Sequence, residues 1–598
     1  MKAEKIPAGL HLSLSAAALT MWAVWTSFFD PVVFPKFIVL MVAGSLVLGY
    51  LFSQFVWEKV FRAYFLIVLL FLIILLSLSL GLGLTHTSFF GVQGRNMGFL
   101  SYFALSIISI YFANLRYSAR TTSIVVNWSL TTFGSIALYG CLEILGVNLF
   151  KLDSIYEGIT GPLGNPNFMS TACGLSAGMC FSSLLMNRKK TPANIVLITV
   201  AFASLVTIYF SRSTQGWIVF LIGILPALYL TIRKWGRKAE IGFIGGISSL
   251  FALFTLAIFN LGPFKNLVYE QSLAFRADFW RIAWRMAVEN PFTGVGIDRY
   301  QNYYREYKTL DQVRRVGAED FSDSAHNLYL HFAATGGFFL AIVLLILNIF
   351  VAFRFVKVIK SEMPFAGVTC ILFGAWLAIQ AQSLISIDFP AIAIWGWIFA
   401  GIGVGASISQ KSNQAMKLSL GRKYLGVFSS IVFSITSIII ITPLASAQSD
   451  LQKGFYAQVD KADSESVSTK SNFLIQMEKK DPGNPTLPIL SANSLFQDGA
   501  FREAANAARR AINIDNHDYR SWWFLASSLE QLGMRKEAIP ARLKTIELSP
   551  FSSQNLLELA RDYASQNDIE GVKNVVGQLG QIDIKSAEYL EASRLVKP

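Results

Sequence analysis

Leu66-Ile67-Val68-Leu69-Leu70-Phe71-Leu72-Ile73-Ile74-Leu75-Leu76 sits inside a stretch, Ala63 to Leu80, that no charged residue interrupts. An uncharged apolar run of about 18 residues is long enough to cross a bilayer as a helix, the one open-chain conformation that satisfies every backbone donor and acceptor internally. Working outward in windows of about 19 residues, we expect about 13 spans. Their centres fall near Ala18, Gly44, Ile73, Ile107, Ile136, Ala177, Ala201, Ile224, Leu250, Val343, Leu377, Phe399 and Ile435. The chain is 53% hydrophobic and only 15% charged, well below the roughly one quarter of a soluble domain. That balance excludes a soluble enzyme and predicts an all-α, polytopic membrane domain over residues 1–447. The first run, Gly9 to Phe28, is read as a retained helix and not a cleaved signal peptide, since further spans follow closely.

An odd number of spans puts the termini on opposite faces. With Lys2 and Lys5 inside, alternate connections carry Lys59 and Arg62, Arg116 and Arg120, and Arg188, Lys189 and Lys190. The later ones carry Arg233 to Lys238, Arg354 to Lys360, and Lys411, Lys417, Arg422 and Lys423. The short basic loops thus fall on one side, as the positive-inside rule requires. The net charge of +13 is accordingly a topology signal, and no nucleic-acid partner is expected. The N-terminus is expected in the cytoplasm and the C-terminal region outside.

Basic residues on the depleted face call for another reason. Arg95 lies in Phe90-Gly91-Val92-Gln93-Gly94-Arg95-Asn96-Met97-Gly98, and Arg212 in Ser211-Arg212-Ser213-Thr214-Gln215-Gly216-Trp217. Arg276 lies in Phe275-Arg276-Ala277-Asp278-Phe279-Trp280-Arg281, within a large outside loop at 262–329. Snorkelling to headgroups, or for Arg276 an ion pair with Asp278 or Glu289, is the competing structural explanation. The loop turns at Asn290-Pro291-Phe292-Thr293-Gly294-Val295-Gly296 and ends at Asp323-Ser324-Ala325-His326-Asn327. On a helix, Asp323 and His326 are neighbours, and a histidine beside a carboxylate is a candidate general base near neutral pH.

The ordered set Gly91 to Gly98, Gly161 to Phe168, Ser211-Arg212, Arg276 with Trp280, Asn290 to Gly296, and Ala325-His326-Asn327-Leu328-Tyr329-Leu330 resembles the bacterial O-antigen ligase and polymerase superfamily. That superfamily also includes protein O-oligosaccharyltransferases, and the resemblance runs from about Asp30 to Gly405. It implies a metal-independent glycosyltransferase without cofactor, working at the outer face of the bacterial cytoplasmic membrane. The donor would be an undecaprenyl-diphosphate-linked glycan, and the acceptor a hydroxyl on a lipid, a glycan or a protein. In those terms His326 deprotonates the acceptor, and Asp323 or Asn327 orients it. Arg212, Arg276 and, nearby, Arg95 hold the donor diphosphate, for which a planar, always-charged guanidinium is suited.

Other polar groups have structural readings. Gly164-Asn165-Pro166-Asn167 is expected to be a rigid entry turn with Asn165 or Asn167 capping the helix near Phe168. Glu143, Gln380, Gln382 and Asp388 are intramembrane polar residues, and they supply the alternative of another class: a non-catalytic transporter or flippase. Cys141, Cys173, Cys180 and Cys370 lie in apolar runs and indicate neither disulfides nor a metal cluster.

Near Gln448 the composition turns charged and Ala-rich. Ala492, Gly499 and Ala504 recur as Ala526, Gly533 and Ala538, and as Ala560, Asn567 and Val572, each 34 residues apart. That period, over about 485–584, resembles tetratricopeptide (TPR) repeats. Residues 448–598 are therefore expected to form an extracytoplasmic α-helical TPR-like solenoid, with a degenerate helix around Asn472 to Lys479 before it and a protein partner on its surface. Ala445-Ser446-Ala447 has the small-x-small form of a signal-peptidase site.

Overall fold

The computed structural model describes residues 8–54, 58–82, 85–152, 156–186, 192–258, 271–361, 363–408, 420–455 and 464–596. Lys2, Lys5, Arg188 to Lys190, Lys411, Lys417 and loop residues 262–270 lie outside the described residues. No strand occurs among those described.

Each of the 13 expected spans corresponds to a helix. Among the described residues, ten helices are long and apolar enough to cross a membrane. The three others, Ala8–Trp22, Phe99–Asn114 and Arg237–Ile258, have 15, 16 and 22 residues. At the centre, Pro390–Ile408 is buried along its whole length, packed against Phe99–Asn114 and Leu328–Ile359. Small residues let helices approach closely: a Cβ at Gly178 would touch the Gly223 backbone at 3.4 Å, where Pro166–Met186 meets Gln215–Ile232.

Leu328–Ile359 is not one straight helix. Gly337 sits at φ 79°, ψ 169°, which breaks the ladder and leaves carbonyls without helical donors. The Asn290 to Gly296 turn supplies them: the amide of Val295 donates to Ala334 O at 2.8 Å and that of Gly296 to Thr335 O at 3.1 Å. In return the Phe338 amide donates to Pro291 O at 2.9 Å. The turn is thereby stitched into the helix two turns beyond His326.

The last membrane helix, Leu420–Phe455, runs through the position where composition changes. Ala445-Ser446-Ala447 lies inside it, with Ala447 buried in the apolar cluster of the repeats. Beyond it, Ser464–Glu478 precedes three helix pairs: Thr486–Gln497 with Phe501–Ile514, Tyr519–Gln531 with Arg535–Leu548, and Ser553–Ser565 with Ile569–Ile582. The 34-residue positions explain the pairing. Ala492, Ala504, Ala526, Ala538, Ala560 and Val572 are fully buried. Gly499, Gly533 and Asn567 turn each pair with φ of 77°, 77° and 60°, a region only Gly and, less readily, Asn enter cheaply.

One edge of this solenoid docks on the large loop. Asp515, in the connection after the first pair, accepts from Arg299 at 3.1 Å and Asn302 at 2.6 Å. His517 meets Glu306 at 2.9 Å and stacks on Tyr303 with ring centroids 3.8 Å apart. In the next connection Ser552 donates to Glu319 at 2.7 Å, and at the end of Ile569–Ile582 Gln581 O accepts from Arg314 at 2.6 Å. One repeat earlier, Asp481 pairs with His86 at 2.7 Å. The solenoid and the loop therefore share a face.

Candidate functional site

The helix Gln271–Glu289 carries Arg276 and packs along the start of Leu328–Ile359. Ile282, Ala283 and Met286 form a buried cluster with Val295, Tyr300, Tyr304 and Ala325, and the Tyr300 hydroxyl donates to Phe279 O at 2.9 Å. The segment leading to His326 is pinned by Lys308, whose ammonium donates to the carbonyls of Gly317, Ala318 and Asp320. Arg305 adds an ion pair with Glu319 at 2.7 Å.

His326 is not on a helix. It adopts φ 47°, a left-handed conformation rare for a side-chain-bearing residue and found where surroundings over-determine it. Asn327 is the helix N-cap: its side-chain oxygen accepts from the Leu330 amide at 3.0 Å and its amide group donates to Leu384 O at 3.1 Å. Helical spacing predicts Asp323 beside His326, and the resemblance implies an orienting role for Asp323 or Asn327. Asn327 fastens the helix start and does not hydrogen-bond His326. Asp323 acts on His326 through its charge and is not its helical neighbour, because the helix begins only at Leu328.

The His326 imidazole stacks on Phe279, ring centroids 5.4 Å apart. Burial first of all pulls its pKa down to about 4; Asp323 opposes this, while the charges of Arg276 and Arg95 add to it. The ring is therefore neutral at physiological pH and free to accept a proton. Arg276, in contrast, is buried at 9% exposure and, among the described residues, has no hydrogen-bond or ion-pair partner. The competing ion pair with Asp278 does not form; Asp278 is taken by Arg281 at 3.0 Å and Arg315 at 2.6 Å.

The other two arginines are placed differently. Arg95 is 5% exposed, ion-paired to Asp298, and donates to Asp323 O at 3.1 Å. With its charge matched inside the protein, it braces the site and is not free to hold a diphosphate. Arg212 is exposed on a left-handed turn, φ 56°, and pairs with Glu157, which is also exposed. Its hydrogen bond goes to Glu157 and none reaches the His326 cluster. The turn is held by Ser213, which bonds Asn167 at 2.8 Å and Ser170 at 3.0 Å.

The entry turn is built as expected: Gly164 lies at φ 68°, Pro166 opens the helix, and Asn165 accepts from the Asn167 amide at 2.8 Å. Glu143 accepts from the amides of Thr160 and Gly161 at 3.1 and 2.9 Å and so fixes the same turn. Lys36, a further basic residue expected on the outer face, and two residues that escaped sequence reasoning complete the surroundings. Lys36, fully buried, donates to Ala23 O at 2.6 Å and Pro162 O at 2.8 Å. Asp298 and His331 sit beneath His326, and only their place beside the glycine turn and one helical turn past Asn327 hinted at them. No group of three or more His, Cys, Asp or Glu suited to a metal occurs among the described residues.

An apolar groove of about 650 Å³ runs from Asn327 along Leu330, Ala333, Leu345 and Leu377 to Gln380. Asn327, at its start, is the residue that follows His326; neither His326 nor Arg276 lines it.

The geometry defines a multi-pass helical membrane protein in which the charge of a buried arginine, Arg276, acts on His326. Residues 199–345, which contain Arg212, Arg276 and His326, match the family model described as O-antigen ligase. The chain is also 23% identical over 246 residues to the ComP-specific O-oligosaccharyltransferase of Acinetobacter baylyi, a match covering 40% of this chain and 43% of that protein. Among solved structures, the APC/C hetero-tetramer Cut9-Hcn1 aligns over 83% of this chain and 89% of that one at 13% identity and a TM-score of 0.23. At that score the likeness carries no argument about the fold.

Proposed function

We propose that this chain is a glycan transferase that moves a glycan from a polyprenyl-diphosphate donor to an acceptor hydroxyl at the face bearing His326. The observation that carries the reading is Arg276, a buried and unpartnered guanidinium beside a neutral histidine. A buried cation without a counter-ion is costly, and an anionic ligand removes that cost. The donor diphosphate docks there, with the polyprenyl chain in the apolar groove that starts at Asn327.

The acceptor oxygen attacks the anomeric carbon as its proton passes to His326. The bond from that carbon to the diphosphate oxygen breaks, and the leaving group keeps the electron pair. Arg276 stabilises the charge that develops on it. Arg212 adds a second guanidinium, since an exposed ion pair such as that with Glu157 holds by about 1 kcal/mol or less and exchanges readily. No step requires a metal, and the membrane is the bacterial cytoplasmic one with the repeats outside.

A protein acceptor is the second reading, favoured by the oligosaccharyltransferase relative and by the repeats held against the loop. The decisive experiment is His326→Ala in the purified chain, supplied with an undecaprenyl-diphosphate glycan and no ATP or ion gradient. Transfer should vanish while the protein accumulates normally. Wild-type transfer would remove the general-base role, and donor movement across vesicles without transfer would favour a flippase.

A further inference from the structure

Behind His326 lies a second imidazole that the reaction above does not use. His331, one helical turn past Asn327, faces a small, partly open cavity of about 20 Å³ that His326 also lines. Such a volume accommodates about one water molecule. His331 Nε2 stands 3.5 Å from Asp298 Oδ1, whereas its Nδ1 is buried and makes no hydrogen bond. Tyr300 flanks the ring at 5.8 Å between centroids.

Asp298 is constructed to hold charge there. It is 3% exposed, has φ 60°, accepts from the Val92 amide at 2.6 Å, and is ion-paired to Arg95. The remaining titratable groups around the cavity are Tyr102 and Asp388, hydrogen-bonded to each other at 2.8 Å. Asp323 reaches the cluster through its carbonyl, which accepts from Arg95. One carboxylate thus faces both the arginine that braces the His326 segment and the histidine that shares its cavity.

We propose that His331 and Asp298 form a proton relay for His326. The proton that His326 takes from the acceptor hydroxyl passes through the shared cavity to the free Nδ1 of His331. The Nε2–H is held against Asp298, His326 returns to its neutral form, and His331 then releases the proton from Nδ1 to water through the open side of the cavity, so that both imidazoles are neutral for the next turnover. Only N–H bonds and the O–H bonds of the carrying water are exchanged, and no oxidant, metal or further reactant enters. His331 acts through His326 and is a positioning and relay residue. The inference rests on the general-base role of His326.

The test uses the full chain, an undecaprenyl-diphosphate glycan donor, and undecaprenyl diphosphate as the binding probe. His331→Ala should lower kcat by about tenfold or more, leave KM for donor and probe binding within about twofold, and regain rate as imidazole is added to the buffer. His331→Gln, which fills the cavity but carries no proton, should show the same loss without needing a hole to be tolerated. Asp298→Asn should lower kcat in the same way. Wild-type kcat in both His331 variants overturns the relay, as does a loss that imidazole leaves unchanged in a His331→Ala protein that still binds the probe. An active His326→Ala would instead sink the base reading itself, so the two failures are told apart.

Discussion

Arg299 donates to Asp515 at 3.1 Å across 216 positions of sequence, with side chains 10% and 3% exposed. That contact makes the repeat domain a part of the loop structure. Tyr300, the next residue, belongs to the buried cluster that contains Ala325, the residue before His326, so the docking edge of the solenoid adjoins the packing that supports the site.

Removing Asp515 should therefore cost more than a surface ion pair. Asp515→Ala leaves Arg299 buried without its counter-ion, and breaking such a pair costs about 3–5 kcal/mol. Thermal unfolding should shift downward and amide exchange across Tyr300–Tyr304 should quicken, with transfer reduced. Unchanged exchange in that helix would show that the repeats dock without ordering the loop.

Arg276 offers a test of geometry against charge. Arg276→Lys keeps the charge but loses the planar fork that matches two phosphate oxygens at once. Transfer should fall by about tenfold or more, the size expected for a lost charge-assisted hydrogen bond of about 1.5–3 kcal/mol, and donor affinity should weaken with it. If lysine sustains both, Arg276 contributes only a diffuse field.

The pH profile follows from the same pair. His326 is held neutral down to about pH 4, by burial first and by the Arg276 charge among lesser causes. The acid limb of kcat/KM should lie below the ordinary histidine range, and Arg276→Gln should move it upward. Stability has the matching sign. Between about pH 6.5 and 4, the unfolded chain binds a proton at this histidine that the folded chain does not. This contribution is full above that window and lost as pH falls through it. A limb that stays in place in Arg276→Gln would separate the two residues functionally.

Much of this was legible beforehand because it is local or periodic. The 13 apolar runs each became a helix, and Ala492, Ala526 and Ala560 lie at zero exposure because a 34-residue period needs no distant information. Long-range pairing was not legible. Arg95 looked free because Asp298 is 203 positions away, and Arg212 because Glu157 is 55 away. The left-handed backbone at His326 replaced the helical spacing that seemed to join it to Asp323. Such pairings are decided by packing, which no window of sequence contains.

Gly337 shows what that blindness conceals, and it yields a test that touches no charge. Its φ of 79° is strained for any other residue, and a Cβ there would strike the Phe292 carbonyl. Gly294, on the facing turn at φ 60°, would strike the backbone at Thr335 and Gly336. Gly337→Ala should therefore cost about 1–3 kcal/mol for a side chain forced into a backbone region that essentially only glycine adopts plus whatever shift separates turn from helix. Because the turn holds the helix that begins beside His326, transfer should fall together with stability. Gly245→Ala is the control: that glycine is helical, with nothing within 4 Å of the place a Cβ would occupy, and alanine there should be neutral or stabilising by up to about 1 kcal/mol. Equal thermal midpoints and equal transfer for the two variants would mean that the stitched turn does not support the site.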